Sequence, residues 1–172
     1  MEGYNGRLDA IQAGILRVRL HHVTGWNKHR RQRAECYNEL LAPMAGRVTV
    51  PYQPSKSKPV YHLYVIRTPY RDEVPKHLTE AGIGTGIHYP FPVHFQAAYA
   101  SLGWKRGDFS ASEEATDQIL SLPMFAGLRS GDQHRVVEAV AGFASIRSAS
   151  EARFFPTHSH GLFGAKGKSS PW

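Results

Sequence analysis

Leu8, Ile11, Ile15 and Val18 recur at spacings of three and four residues, and Trp26 extends the same stripe. That period belongs to one face of an α-helix, so residues 7–26 are predicted to form an amphipathic helix. Residues 30–41 carry Ala34, Tyr37, Leu40 and Leu41 in the same pattern until Pro43 and Gly46 stop it. A helical arm of this length, continuous or kinked, must lay its apolar face against another layer. Residues 60–66, rich in β-branched and aromatic side chains, are the clearest strand for that layer. Residues 47–51 read as a short strand, 53–59 as an exposed loop, and 83–89 as a strand broken by Gly84 and Gly86. Helices are predicted over 72–81 (closed by Gly82), 96–102, 110–120 and 132–143, the last with Val136, Val137 and Val140 on its inner side. The expected fold class is α+β: a sheet of about three strands covered by helices.

Composition narrows the function classes. At 172 residues and 41% hydrophobic content, the chain has material for one core and does not read as intrinsically disordered. The lone Cys36 excludes a disulfide framework and a cysteine-rich zinc module, and points to a reducing compartment. No apolar run is long enough to span a membrane, and the first residues lack the apolar segment of a signal peptide, so a cytoplasmic location is expected. The net charge of +7 is unevenly placed. Residues 15–33 hold Arg17, Arg19, Lys28, Arg30, Arg31 and Arg33 with no acidic residue, and residues 145–172 hold four basic side chains against Glu151 alone. The expected division is a domain over 1–144 followed by a basic, Ser/Gly-rich, mobile tail over 145–172. A basic helix invites comparison with nucleic-acid binders. Here, however, no aromatic residues interleave the charges in a stacking pattern, and no helix-turn-helix or zinc-finger spacing appears. A small nucleic-acid-binding module, or a structural dimerisation module, remains the alternative reading.

Two stretches carry a more specific signal. Gly3-Tyr4-Asn5-Gly6-Arg7-Leu8-Asp9-Ala10-Ile11-Gln12-Ala13 resembles the G-x-N-x-R-L-x-x-[IL]-Q-A segment of the DegT/DnrJ/EryC1/StrS family of pyridoxal-phosphate-dependent aminotransferases. Residues 81–96, which include Gly82-Ile83, Thr85, His88-Tyr89-Pro90, Pro92, His94 and Gln96, resemble that family's G-I-x-T-x-x-H-Y-P-x-P-x-H-x-Q stretch. Val60-Tyr61-His62-Leu63-Tyr64, Gly107-Asp108-Phe109 and Leu120-Ser121-Leu122-Pro123-Met124 match in consistent order between and beyond them, so the resemblance runs from residue 3 to about 143. It implies the small C-terminal domain of a fold-type-I aminotransferase. It also implies a homodimer, pyridoxal 5'-phosphate as cofactor, and transfer of an amino group from a donor such as glutamate to a nucleotide-linked keto sugar.

The same resemblance places the family's Schiff-base lysine ahead of the G-x-N-x-R segment. None of the seven lysines (28, 56, 58, 76, 105, 166 and 168) stands in that context, so no catalytic residue is assigned, and the chain alone is expected not to transaminate. Lys56 and Lys58 lie in the predicted loop between Pro54 and Pro59 and read as solvated. Asn5 and Arg7 are the cofactor-side candidates. The resemblance gives Asn5 a contact with the cofactor phosphate of a neighbouring subunit, against the plain alternative of capping the first helix. Arg7 either binds an anion as a fork donor or pairs with Glu2 or Asp9 at the surface. His88, Tyr89 and His94 lie in a glycine- and proline-framed loop and are the substrate-side candidates, against ordinary packing or surface roles. His88 with His94, or His158 with His160, lacks a carboxylate or thiolate at ligand spacing, so no metal site is expected. The stripe from Leu8 to Val18 needs a cover supplied by further protein, and uncovered it predicts self-association.

Overall fold

The computed structural model describes the backbone of residues 8–154 and the side chains of residues 8–145. The helical arm is two helices, α1 (Ala10–Leu20) and α2 (Val23–Leu41), separated by a turn at His21 and His22. Asp9, not Asn5, caps α1: its carboxylate accepts from the N–H groups of Ile11 and Gln12 at 2.7 and 3.0 Å. The capping alternative for Asn5 is thereby replaced, while Asn5 and Arg7 lie outside the described residues. Helix α2 buries Ala34, Tyr37 and Leu41, spaced three and four apart, and ends in a 3-10 turn containing Pro43.

The sheet has two strands where about three were expected. Strand β1 (Tyr64–Arg67) runs antiparallel to β2 (Ile119–Leu122), with Tyr64 opposite Leu122 and Ile66 opposite Leu120. The segments expected to add strands contribute one bridge each. Thr49 pairs with Arg67 on one edge and Gly86 with Ser121 on the other. Pro51, which has no N–H to donate, limits the first edge. The strand expected over 60–66 starts late because Tyr61 sits at φ +47, a left-handed conformation incompatible with an extended chain. The helix predicted over 110–120 takes in Ile119 and Leu120, which the structure places in a strand with Ser121 and Leu122. That strand, β2, is flanked by β1 and the Gly86 edge, with Leu120, Ser121 and Leu122 all buried. The helix expected over 110–120 is correspondingly α4 (Ser110–Gln118).

Helix α3 (Val74–Glu80) closes with the Schellman pattern that Gly82 signals. Gly82 has φ +70, its N–H donates to the Thr79 carbonyl at 2.9 Å, and the Ile83 N–H donates to that of Leu78 at 2.8 Å. Residues 97–102 form 3-10 turns in place of an α-helix. Helix α5 (Ser130–Phe154) begins earlier and runs farther than the 132–143 expected. Residues 155–172 of the expected tail, with His158 and His160, lie outside the described residues.

Tyr64, Ile66, Leu120, Tyr37, Leu41, Leu78, Val136, Val137 and Val140 gather into one core between the sheet and α2, α3 and α5. The Tyr37 and Tyr64 rings stack at 4.8 Å. Both hydroxyls are satisfied: Tyr37 donates to the Pro123 carbonyl at 3.0 Å and Tyr64 to Asn38 Oδ1 at 2.6 Å. Arginines pin the framework to backbone carbonyls, Arg47 to Ala144, Arg71 to Thr116 and Arg135 to Ala81. Arg30 of the basic stretch donates to the Val60 carbonyl at 3.0 Å, and Arg33 to Gln133 at 3.3 Å. Among the described residues, no helix is long and apolar enough to cross a membrane.

Candidate functional site

The Gly86 edge of the sheet delivers the chain directly into residues 88–94. His88 turns back across Gly86, and its Nδ1 lies 2.9 Å from Ser121 Oγ on β2. A Cβ on Gly86 would stand 2.6 Å from His88 Cε1, so any larger residue here would push the imidazole from this position. The peptide bond between His88 and Tyr89 is cis, and the two rings meet edge-on at 5.8 Å. Residues 88–91 are all exposed, and burial returns at Pro92. Pro92 and His94 turn inward, whereas Tyr89, Phe91 and Val93 face solvent, with Tyr89 72% exposed. The chain bends at His88, Pro90 and Phe91, and Pro92 (φ −60, ψ 150) leads this short strap into a 3-10 turn over Val93–Phe95 that carries His94 inward.

His94 has different surroundings from His88 and Tyr89. It is 8% exposed, and its ring packs against Phe95 at 4.1 Å and Phe109 at 4.7 Å, with Trp104 edge-on at 6.4 Å. Its Nε2 lies 3.2 Å from Glu113 Oε1. Glu113 accepts further from the N–H of Gly107, at 2.9 and 3.0 Å to its two oxygens, and from the N–H of Phe109 at 3.4 Å. Burial pushes this carboxyl up, but the N–H donors and His94 outweigh it, so the group titrates below its ordinary range. The structure thus brings His88 and Tyr89 together at one end of the strap and sets His94 beneath the other end. Sequence reading missed Ser121 and Glu113. Ser121 lay within the quoted Leu120–Met124 stretch, and an acidic residue in the first turn after Gly107-Asp108-Phe109 is a capping signal.

A second exposed feature is α1, which buries no residue and, with Leu8 just before it, shows Ile11, Ile15, Leu16, Val18 and Leu20 to solvent. Among the described residues, no three His, Cys, Asp or Glu side chains gather in a way that would hold a metal ion.

This combination of elements is a partial aminotransferase architecture, helix-rich α+β with a small antiparallel sheet. Residues 1–141 match the model of the DegT/DnrJ/EryC1/StrS aminotransferase family, and the chain belongs to that family. It is 44% identical over 142 residues to a pleiotropic regulatory protein of Geobacillus stearothermophilus, covering 82% of this chain and 38% of that protein. It is 40% identical over 143 residues to the dTDP-3-amino-3,4,6-trideoxy-alpha-D-glucose transaminase of Streptomyces venezuelae, covering 83% of this chain and 38% of the relative. Among solved structures, S. venezuelae DesV in complex with a ketimine intermediate superimposes with a TM-score of 0.77 at 40% identity, over 84% of this chain and 38% of DesV. The chain therefore spans about two fifths of the length of the relatives it matches.

Whether the described residues fit the family's cofactor is a question about lysines. Lys28, Lys56, Lys58, Lys76 and Lys105 are all exposed, and none lines a sheltered cavity in which an amine could be held neutral against a carbonyl carbon.

Proposed function

We propose that this chain supplies the substrate-side wall of a pyridoxal-phosphate-dependent aminotransferase that places an amino group on a nucleotide-linked keto sugar. The observation that carries the reading is the 40% identity over 143 residues to a dTDP-amino-sugar transaminase, a match that contains the His88–Val93 strap. When bound, the cofactor supplies the electron sink for amine transfer. What this chain's residues supply is recognition. The Tyr89 phenol can donate to one sugar oxygen and accept from another, and Phe91 and Val93 offer apolar surface to a ring face. His88, held by Ser121, fixes where Tyr89 starts. Asn5 and Arg7 serve the cofactor phosphate across a homodimer interface, with glutamate as the amino donor. The lysine that carries the cofactor belongs to the part of the relatives outside the match, so this chain alone does not transaminate.

The test is a chimera in which this chain replaces the matched segment of the S. venezuelae transaminase. Retained amino transfer to the dTDP-linked keto sugar, reduced by Tyr89→Ala through a higher KM, supports the reading. A folded, cofactor-loaded chimera with no activity would overturn it. The isolated chain mixed with pyridoxal phosphate is expected to show no visible absorbance band beyond that of the free cofactor. A stoichiometric new band would refute the assignment of the lysine to the other part.

A further inference from the structure

Both ends of the 88–94 strap are tied to one helix-strand unit. His88 reaches Ser121 on β2, and His94 reaches Glu113 on α4, the helix that runs directly into β2. Glu113 also takes the N–H groups of Gly107 and Phe109, so one carboxylate joins the strap to the turn at 107–109. The aromatic rings of Phe95, Phe109 and Trp104 surround the imidazole and keep water from the pair. A carboxylate and an imidazole, each less than a tenth exposed, cost desolvation that an aliphatic pair would avoid. What the polar pair adds is direction. Its bonds fix how the bent strap and the Val93–Phe95 turn sit on α4, with Pro92 and His94 buried and Phe91 and Val93 exposed.

We propose that Glu113 is a positioning residue: by holding His94 and the 107–109 turn together it sets the orientation of the strap that leaves Tyr89, Phe91 and Val93 facing outward, without itself touching substrate. The clamp stands on geometry alone. Only its consequence for substrate rests on the function proposed above.

The test is amide hydrogen exchange on the full chain. The Phe95 and Gln96 amides donate to the carbonyls of Pro92 and Val93 at 3.0 and 3.1 Å and report the strap, while the Gly107 and Phe109 amides report the turn. In Glu113→Ala all four are expected to exchange at least about tenfold faster, while the β1–β2 amides keep their protection. Glu113→Gln, which keeps the volume and one acceptor, is expected to restore part of the protection. Should Glu113→Ala fail to fold, His94→Gln removes only the strap contact and is expected to loosen Phe95 and Gln96 but not Gly107. Unchanged exchange at Phe95 and Gln96 in the folded variants, or loosening spread evenly over the core, would overturn the clamp. In the chimera, Glu113→Ala is expected to raise the KM for the keto sugar about tenfold with a smaller change in kcat. A loss confined to kcat would overturn the link to substrate while leaving the exchange result standing. An inactive parent chimera would count against the proposed function and not against the clamp.

Discussion

Helices α1 and α2 are neighbours in sequence and have opposite fates. The more apolar of the two, α1, buries nothing, whereas α2, studded with arginines, buries Ala34, Tyr37 and Leu41 completely or nearly so. Burial here follows from what faces a helix and not from how hydrophobic it is. In α2 Tyr37 stacks on the Tyr64 ring, Ala34 and Leu41 join the same core, and the helix packs on α5, while Arg30 reaches the Val60 carbonyl. In α1 the apolar residues spread around the helix and meet almost nothing among the described residues.

The sharpest test of that contrast is a pair of truncations. Leu120→Ala, at a fully buried position of β2, is expected to cost about 2–5 kcal/mol in urea unfolding. Ile11→Ala, at a position 76% exposed, is expected to change monomer stability by no more than about 0.5 kcal/mol. Comparable costs would mean that α1 is packed in solution, and the contrast would fail. The strap lies between these extremes. Gly86→Ala forces the His88 ring off its seat and is expected to cost about 1–3 kcal/mol while uncoupling His88 from Ser121, which histidine ring chemical shifts would reveal.

A pH titration separates the polar clamp from the apolar core. Because the Glu113 carboxyl titrates below its ordinary value of 4.5 in the folded chain, the folded form binds that proton less readily than the unfolded form. Its contribution is present above the ordinary carboxylate value and is lost as pH falls through the folded one. Wild type is therefore expected to lose stability more steeply than Glu113→Gln as pH falls below about 4.5, and parallel curves would refute this. The smallest effect on folding belongs to charge insertion in α1. Ile11→Glu with Val18→Glu is expected to leave the unfolding midpoint nearly unchanged and to reduce self-association in sedimentation. A monodisperse wild-type monomer would break the expectation that this face recruits a partner.

The helices were legible because their signals are local: the period of α2, Gly82 after α3, and Val136, Val137 and Val140 on α5. The family, too, could be read from two short stretches, and the match over residues 1–141 agrees. The sheet was not, because strand pairing is a long-range agreement. Ile119 and Leu120 continue the helical pattern of the preceding residues when read alone, and become strand only where Ile119–Leu122 lies beside Tyr64–Arg67. The turn at His21 and His22 and the φ of Tyr61 likewise have no marker such as glycine or proline. At the site, His88, Tyr89 and His94 were legible as one loop, but the division of labour between them was not. It depends on Ser121 and Glu113, which lie 33 and 19 residues away.

The contact between Gln133 and Arg33 joins α5 to α2 across 100 residues of sequence. The fully buried Gln133 amide donates to the Arg33 carbonyl at 2.8 Å and accepts from the Arg33 side chain. During synthesis, α2 and the β1 strand leave the ribosome long before the valines of α5 that complete their core. The first half must therefore wait, with the rings of Tyr37 and Tyr64 uncovered, until α5 arrives. A core wired this way is completed only once α5 has been made, because the contacts that close it are long-range in sequence.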